Sequence, residues 1–432
     1  MNIRNVFIIG LFLFGLFFPL SQVFAARLWS SGCELQGDVG GTPTDNLEFD
    51  LATGGASTAS ISTSIKRSGL SSCQATGGGT GFVEYRHEFI TPAAGPYFVR
   101  FYLYISSAPS SDLTIATYIN AGDARSELVL TSSRTLKLID ADDTTSIATY
   151  ATPLSTGTWY RIEYQYDNAI DGHEVRIDGS TVMGPIVCTS CANAGEVWFG
   201  ADNWQTPATG TVYFDDIAVN DSSGGAQNSW PGVGSIVHMQ PNASGDNSGC
   251  TAGDWSSIDE ITPDDASTLC TLTTDGGGNI VDTNVESYSA AGIDRYDTIS
   301  LVQVGVRDAA ASAASEGWQL RIKSASSGSV SSGTATTHDD TTYTTNGDLG
   351  VQPNNYTLTS YTDPTTAVAW TPTGTNSLEN MQIGMISTDG NPDINLSALW
   401  ALVEYVDVYP PQARSAWRNM RMKLNGGRYF QR

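Results

Sequence analysis

Short runs in which hydrophobic and polar residues alternate recur throughout 27–409, and clusters of Gly, Ser, Thr, Asn and Asp separate them. Alternation with a period of two places successive side chains on opposite faces of a β-strand, and the helical period is almost absent. Short strands bounded by turn residues are typical of an antiparallel β-sandwich. The clearest runs lie at 97–105, 114–119, 127–130, 159–166, 174–177, 197–200, 212–219, 299–306, 318–322, 356–361, 381–386 and 396–408.

The run at 159–166 shows the division of faces that a sandwich strand needs. One face carries Tyr160, Ile162, Tyr164 and Tyr166, and the other carries Trp159, Arg161, Glu163 and Gln165. We expect the first face to pack in the core and the second to contact water. Asp178 and Gly179 close a later strand and predict a tight turn.

Polar breaks divide the chain into domains. The stretch 220–229 is rich in Gly, Ser and Asn and directly follows a strong strand, and Pro410 and Pro411 end the second strand-rich region. We predict an all-β fold with two jelly-roll-like β-sandwich domains, at 27–221 and 230–409, joined by a linker at 222–229. The alanine-rich patch at 309–314 fits either a helical turn or a loop.

The first 26 residues have the pattern of a signal peptide. Arg4 precedes an unbroken apolar run at 6–20, and small residues follow up to Ala25 and Ala26, where we place the cleavage. The alternative is an uncleaved anchor helix, but the run is shorter than the ~20 residues that span a bilayer. We therefore expect a secreted protein, extracellular or at the cell surface, without a transmembrane segment in the mature chain.

The charge of the chain is unevenly distributed. Its 45 acidic and 21 basic side chains give a net charge of −24, which excludes a nucleic-acid binder that relies on a general basic surface. With 40% hydrophobic residues the chain is also too apolar to be disordered. From Pro410 onward, however, six residues are basic and none is acidic. This tail, 410–432, can form a short amphipathic helix that docks on an acidic body, giving self-association, or lies on an anionic membrane.

Six cysteines lie in the part predicted to be exported, where disulfides persist. Six cysteines allow fifteen pairings, but their spacing forms three local groups. A zinc site at Cys188 and Cys191 would need two more ligands, and no second pair lies nearby. We predict the disulfides Cys33–Cys73, Cys188–Cys191 and Cys250–Cys270.

Several strings in the first domain resemble the concanavalin A-like, laminin-G-like jelly roll. They are Ser-Thr-Gly-Thr-Trp159-Tyr-Arg-Ile-Glu, Glu174-Val-Arg-Ile-Asp178-Gly179, Val197-Trp-Phe-Gly200 and Val212-Tyr-Phe-Asp215-Asp216-Ile-Ala-Val, and the strings Ser31-Gly32-Cys33-Glu34 and Arg67-Ser-Gly69 are similar to the start of such domains. The resemblance covers about residues 27–221. It implies a sandwich that serves lectins, adhesins, glycoside hydrolases and polysaccharide lyases alike.

The second domain is similar to a β-sandwich module that accompanies laminin-G-like domains in phage appendage and secreted bacterial proteins. The strings that carry this resemblance are Asp363-Pro364, Ala369-Trp370-Thr371 and Trp400-Ala-Leu-Val-Glu-Tyr-Val. The resemblance implies contacts with other surface or appendage subunits.

Glycan-degrading chemistry is the alternative that the sequence supports less well. The Glu-x-Asp-x-x-Glu-like string of a retaining glucanase is absent. Residues 85–88 have the types that a polysaccharide lyase needs, but alternation puts Arg86 and Glu88 on one face and Tyr85 and His87 on the other. No Gly-x-Ser-x-Gly string accompanies the four histidines. We therefore predict no catalytic residue.

Structural calcium is the metal that the sequence favours. Carboxylates suit this hard cation, and the first and last strands of a sandwich often run side by side. That arrangement would bring Glu34 close to Asp215 and Asp216, which should point to opposite faces, and we predict Glu34 and Asp216 as ligands. The alternative is a solvated acidic edge that discourages aggregation.

A sugar platform is predicted just after the strand at 197–200. Asp202, Asn203 and Trp204 place an aromatic plane beside carboxylate and amide groups, and sugars stack on such planes while polar neighbours bind their hydroxyls. A tryptophan packed in the sandwich rim would also explain the pattern. We therefore expect a non-catalytic protein that binds extracellular glycan, as an adhesion module would, or joins a surface or appendage assembly, with a glycan-degrading enzyme as the alternative.

Overall fold

The computed structural model of the 432-residue chain confirms the all-β prediction: the described residues form 28 strands and two single-turn 3-10 helices, without an α-helix. In these residues no helix is long and apolar enough to cross a bilayer. The predicted signal peptide and the basic tail lie outside them. The described residues are 27–36, 47–53, 56–79, 81–93, 95–140, 146–168, 172–187, 192–202, 208–265, 267–273, 278–313, 315–339, 341–346, 355–388 and 393–408.

Two sheets built from the first half of the chain form the first sandwich. Sheet I has the order β13-β12-β11-β6-β15-β4-β3, with β1 also paired to β15, and sheet II has the order β10-β9-β8-β7-β14-β5-β2. Their strands are β1 (Arg27–Ser31), β2 (Asp50–Thr53), β3 (Thr58–Ser62), β4 (Ser72–Gly78), β5 (Val83–Ala93), β6 (Tyr97–Ser107), β7 (Leu113–Asn120), β8 (Asp123–Leu130), β9 (Leu136–Asp140), β10 (Ser146–Tyr150), β11 (Trp159–Asp167), β12 (Gly172–Ile177), β13 (Ser180–Ile186), β14 (Ala194–Asp202) and β15 (Thr209–Asp221).

Two further sheets form the second sandwich. Sheet III has the order β18-β19-β28-β21-β25, with β16 paired to β28 and β26 to β21, and sheet IV has the order β17-β20-β27-β22-β23, with β24 paired to β22. Their elements are β16 (Ser235–Met239), β17 (Pro241–Ser248), β18 (Cys250–Ala252), the 3-10 helix η1 (Trp255–Ser257), β19 (Cys270–Leu272), β20 (Ile280–Val285), β21 (Thr298–Ala310), β22 (Glu316–Lys323), β23 (Ser331–Ser332), β24 (Thr336–His338), β25 (Thr344–Thr345), β26 (Leu358–Ser360), the 3-10 helix η2 (Leu378–Asn380), β27 (Gln382–Ser387) and β28 (Ile394–Val406).

Aromatic side chains from both sheets meet in the core of the first sandwich. The ring of Phe101 in β6 lies 5.3 Å from that of Phe199 in β14 and 5.7 Å from that of Phe214 in β15, and all three side chains are buried. Contacts of this kind join sheet I to sheet II more firmly than area burial alone.

The predicted tight turn is present, since Asp178 and Gly179 both have positive φ between the paired residues Ile177 and Ser180.

The expectation that the outer face of β11 contacts water is wrong for two of its four residues. The side chains of Tyr164 and Tyr166 point into the core as expected, but Arg161 and Glu163 on the other face are also buried, with 8% and 2% of their surfaces exposed. The amide of Gly232 donates a hydrogen bond of 2.8 Å to the carboxylate of Glu163. The outer face of sheet I is therefore covered by chain that leads into the second sandwich.

A third apolar cluster lies where the outer faces of sheets I and III meet. It includes Ala218 of β15, Ile236 of β16, and Trp400 and Leu402 of β28. Because β28 buries one face in the second sandwich and the other in this contact, its sequence is an almost continuous apolar run rather than an alternation. The two sandwiches thus share a packed interface.

Two of the predicted disulfides are confirmed. Cys33 is bonded to Cys73 and Cys250 to Cys270, with Cα atoms 5.5 and 5.3 Å apart. The predicted pair Cys188–Cys191 lies outside the described residues.

The alanine-rich patch at 309–314 begins as a strand rather than as the predicted helical turn or loop, because Ala309 and Ala310 are the last residues of β21.

Candidate functional site on the outer face of sheet II

A row of polar and aromatic residues crosses four adjacent strands of sheet II on the side away from the core. Trp198 of β14 is paired with Arg86 of β5 on one side and with Thr117 of β7 on the other, and Thr117 is paired with Glu127 of β8. We call these four residues the sheet II row. The alternation of the strands dictates this arrangement, because their intervening residues fill the core.

Hydrogen bonds and a cation–π contact fix the side chains of the row. The guanidinium carbon of Arg86 lies 5.3 Å from the centre of the Trp198 ring, whose Nε1 donates a 3.1 Å hydrogen bond to Glu196. The hydroxyl of Thr114 donates a 2.9 Å hydrogen bond to Glu127. Arg86 and Glu196 are half-buried, whereas only 8% of the Trp198 surface is exposed. The row therefore has a buried floor and a solvent-reaching rim.

Carboxylates lie close together on this rim. Glu88 is paired directly with Glu196 across β5 and β14. Burial, and secondarily the charge of Glu196, raises the pKa of Glu88. Burial also raises the pKa of Glu127, against the hydrogen bond from Thr114. Burial therefore disfavours the charged form of both carboxyl groups.

The face is shallow. The depression bordered by Glu84, Thr114, Trp198 and Gly200 offers about 10 Å³, which is the space of about one water molecule. A sugar ring cannot be enclosed there, so a ligand would lie along the row in contact with its rim.

The predicted sugar platform is only partly within the described residues. Asp202 is the last residue of β14 and is paired with Thr114 of β7, so its backbone ends the strand that carries Trp198. Asn203 and Trp204 lie outside the described residues. A ligand role for Asp202, Asn203 and Trp204 stays a prediction.

The predicted metal ligand Asp216 lies at a bulge of β15. Along one edge of β15 the pairing with β4 ends at Phe214 and the pairing with β1 begins at Ile217, and Asp215 and Asp216 form the bulge between them. The expectation that these two aspartates point to opposite faces is wrong, because the flanking Phe214 and Ile217 both pack in the core and leave both aspartates on its outer side. The backbone amide of Arg67 donates to Asp215, and its guanidinium donates to Asp216. Asp216 has positive φ, which turns the chain within the bulge.

The carboxylate of Asp216 is held by protein groups. It forms an ion pair with Arg67 and accepts hydrogen bonds of 2.5 Å from the hydroxyl of Ser68 and from the amide of Ile236. Glu34 accepts a 2.7 Å hydrogen bond from the amide of Leu70 through one oxygen only. Burial, and then the charge of Asp215, raises the pKa of Glu34 well above its usual value. Among the described residues no group of three or more His, Cys, Asp or Glu is arranged to hold a metal ion.

Calcium at Glu34 and Asp216 stays a prediction that thermal unfolding can test. If the ion binds there, added Ca²⁺ raises the melting temperature of the wild type, because it binds the folded form preferentially. Glu34→Gln, which keeps the shape of the side chain, should then remove most of the gain. An equal shift in both proteins would exclude Glu34 as a ligand.

Sequence reasoning identified the strands of the sheet II row but not the row itself. Alternation correctly assigned Arg86 and Glu88 to one face of β5 and Tyr85 and His87 to the other. The structure shows that Tyr85 and His87 are buried, whereas Arg86 and Glu88 are half-buried. The same rule, applied to the run at 197–200, places Trp198 on an outer face. What the sequence lacked was the pairing of β5 with β14, which joins segments about a hundred residues apart.

No protein-family model matches the sequence, and no curated protein matches it. Solved structures are similar over about two fifths of the chain. The cellulose-induced protein Cip1 has a TM-score of 0.36 and 19% identity over 43% of this chain and 93% of its own length. An endo-β-1,4-glucuronan lyase from the fungus Trichoderma reesei has a TM-score of 0.33 and 15% identity over the same shares.

A sialidase from Trypanosoma rangeli is also similar, with a TM-score of 0.28 and 10% identity over 39% of this chain and 29% of its own length. Likenesses at this level transfer no activity or site residue to the present chain.

Proposed function

We propose that this chain is a secreted, non-catalytic glycan-binding protein and that the sheet II row contacts the glycan. The observation that carries the proposal is the row itself, which aligns a guanidinium, an indole, a hydroxyl and a carboxyl across four neighbouring strands. The two disulfides support an oxidising, extracellular location.

The chemistry of the row suits a polyhydroxylated chain. Arg86 and Glu196 reach solvent and supply a donor and an acceptor for sugar hydroxyls, beside the buried indole of Trp198 that holds both of them. The strands lie about 4.8 Å apart, so a row over four strands extends roughly 14 Å and matches several sugar units rather than one. The shallow surface allows such a chain to lie across the sheet.

A glycan-degrading enzyme remains the alternative, and one observation favours it. Glu88 and Glu196 are directly opposite each other, and the pKa of Glu88 is raised by burial and by the charge of Glu196. A glycosidase likewise uses a pair of carboxyl groups, one of which has a raised pKa. The depression of about 10 Å³ on the same face is lined by neither of these two carboxyl groups.

An array of neutral and uronate-containing polysaccharides tests binding. We expect the wild-type protein to retain at least one of them and Arg86→Ala to weaken that retention by about tenfold, ~1.4 kcal/mol. Arg176→Ala is the matched control, because Arg176 is also half-buried, lies over the ring of Trp230 at 3.8 Å and pairs with Glu174. Arg176 lies on β12 of sheet I, so its loss should leave retention unchanged.

Assays of reducing ends and of unsaturated uronate on the same preparation separate the two functions. A binding protein should release neither product, and Glu88→Gln should keep wild-type retention within about twofold. Product release that Glu88→Gln abolishes would establish the enzyme instead. Retention equal in the wild type and Arg86→Ala would remove the sheet II row from the binding site.

A further inference from the structure

A second concave site lies in the other sandwich, where β17 separates from β20. Ser244 and Ser248 keep their partners in β20, whereas the three residues between them, 245–247, face Asp282 alone. Extra residues in one strand bend it away from its neighbour. A pocket of about 230 Å³ opens at this bulge.

Trp255 of the helix η1 lines the pocket opposite the bulge and is half-buried. Two features hold it in place. Asp254 caps η1 by accepting a 2.9 Å hydrogen bond from the amide of Ser256, and the disulfide from Cys250 to Cys270 ties the preceding strand β18 to β19. The cap and the disulfide thus fix the turn that carries the Trp255 indole.

Asp282 contributes to the pocket lining and is itself held by two cations. Nζ of Lys323 lies 2.9 Å and Nε of Arg321 lies 3.0 Å from its carboxylate oxygens. The amide of Asn247 in the bulge donates a hydrogen bond to the same carboxylate. Gly384 lies between Asp282 and Arg321 in the sheet. A Cβ at position 384 would lie 2.7 Å from the Asp282 carboxylate, so glycine leaves the space in which Arg321 reaches that carboxylate.

The charges around the pocket do not favour an anion. Lys323 and Arg321 offset the charge of Asp282. Asp254 is exposed beside Trp255, and hydrogen bonds from Ser256 lower its pKa, so it is negative at neutral pH. No basic residue belongs to the described lining of the pocket.

The volume sets the size of the ligand. The volume of about 230 Å³ is below the ~300 Å³ at which drug-sized pockets begin. We propose that this pocket binds one neutral polyhydroxylated ring, such as a single monosaccharide unit, with Trp255 against its apolar face and Asn247, Ser244 and Ser248 at its hydroxyls. The site is separate from the sheet II row and does not depend on the function proposed there.

Saturation-transfer NMR on the full chain tests the proposal with four probes: the methyl glycosides of glucose, galactose and mannose, and methyl glucuronoside as the anion. We expect transfer to at least one neutral glycoside and weaker binding of the glucuronoside. Trp255→Ala should raise the Kd of the bound glycoside by at least about tenfold. Ser248→Tyr, which fills the pocket from an exposed residue of its lining, should do the same without removing the indole.

One control isolates the pocket. Trp159→Ala removes a half-buried tryptophan from the first sandwich, outside both proposed sites, so it should bind the monosaccharide like the wild type. Failure of all three neutral glycosides, tighter binding of the glucuronoside, or an unchanged Kd in Ser248→Tyr would each overturn the proposal. None of these outcomes would affect polysaccharide retention by the sheet II row, so the two sites are tested independently.

Discussion

Replacing Glu404 with glutamine is expected to lower the free energy of unfolding by about 3–5 kcal/mol. Glu404 lies in β28 of the second sandwich, and its two oxygens form ion pairs of 2.7 Å with Arg27 and 2.5 Å with Arg100 of the first sandwich. All three side chains are almost completely buried. Glutamine would remove the counter-charge that the two buried guanidinium groups share, and this cost greatly exceeds that of losing an exposed pair.

The pKa of Glu404 agrees with this view of the contact. Burial raises it, but Arg27 and Arg100 together outweigh burial, and the net pKa is below the usual value. The carboxylate is therefore charged at neutral pH, as its two partners require.

Urea unfolding of the two proteins measures the effect, with Glu174→Gln as the control. Glu174 also pairs with an arginine, at 2.7 Å from Nε of Arg176, but both side chains of that pair are partly exposed. Its loss should cost less than about 1 kcal/mol. If Glu404→Gln costs no more than the control, the three buried charges do not hold the sandwiches together.

The strands were predictable because the signal for them is local. Alternation within 159–166 was sufficient to assign Tyr164 and Tyr166 to the core, and Asp178 with Gly179 was sufficient for the hairpin turn. The disulfides Cys33–Cys73 and Cys250–Cys270 were predictable for a similar reason, since each joins cysteines that are neighbours in the sequence, 40 and 20 residues apart.

The contact between the sandwiches was not predictable, because it joins residues far apart in sequence. Arg100 and Glu404 are separated by 304 residues, and the local sequence around each residue does not indicate that they form an ion pair. One signal was available, however. The run at 396–408 is apolar at almost every position, which indicates a strand buried on both faces and hence a second layer over sheet III.

The candidate sites were hidden by irregular pairing. Residues 241–248 are polar and contain a glycine, so their sequence does not indicate a strand, yet β17 forms and its bulge opens the pocket beside Trp255. The bulge at Asp215 and Asp216 likewise brings both carboxylates to Arg67, against the rule of alternation. Bulges depend on the partner strand, which the local sequence does not specify.

Acid is expected to destabilise the protein through His87 by about 3 kcal/mol between about pH 6.5 and pH 4. His87 is fully buried in β5, stacks on Trp29 with ring centres 4.3 Å apart, and lies 3.0 Å from the side-chain oxygen of Asn355 through Nε2. Burial, only partly offset by Asn355, lowers the pKa of His87 to about 4. Its Nδ1 has no hydrogen-bond partner, so a proton there would place an uncompensated charge in the interior.

The sign of this pH dependence follows from the number of protons that the folded and the unfolded chain bind. Below about pH 6.5 the unfolded chain protonates this imidazole while the folded chain does not, so the free energy of unfolding falls until the pH reaches about 4. Burial also lowers the pKa of His173 to about 4, so the wild type should show a second contribution of the same sign.

Comparing the wild type with His87→Gln isolates the contribution of His87. Glutamine does not titrate, so the variant should be less stable than the wild type at about pH 7, where the neutral imidazole packs on Trp29, and the difference should narrow by about 3 kcal/mol as the pH falls to about 4. Denaturant unfolding at closely spaced pH values measures this difference, and contributions from His173 and the carboxylates cancel in it. A difference that stays constant with pH would mean that His87 takes up its proton equally in the folded and unfolded chains, and that its burial against Trp29 does not keep it neutral.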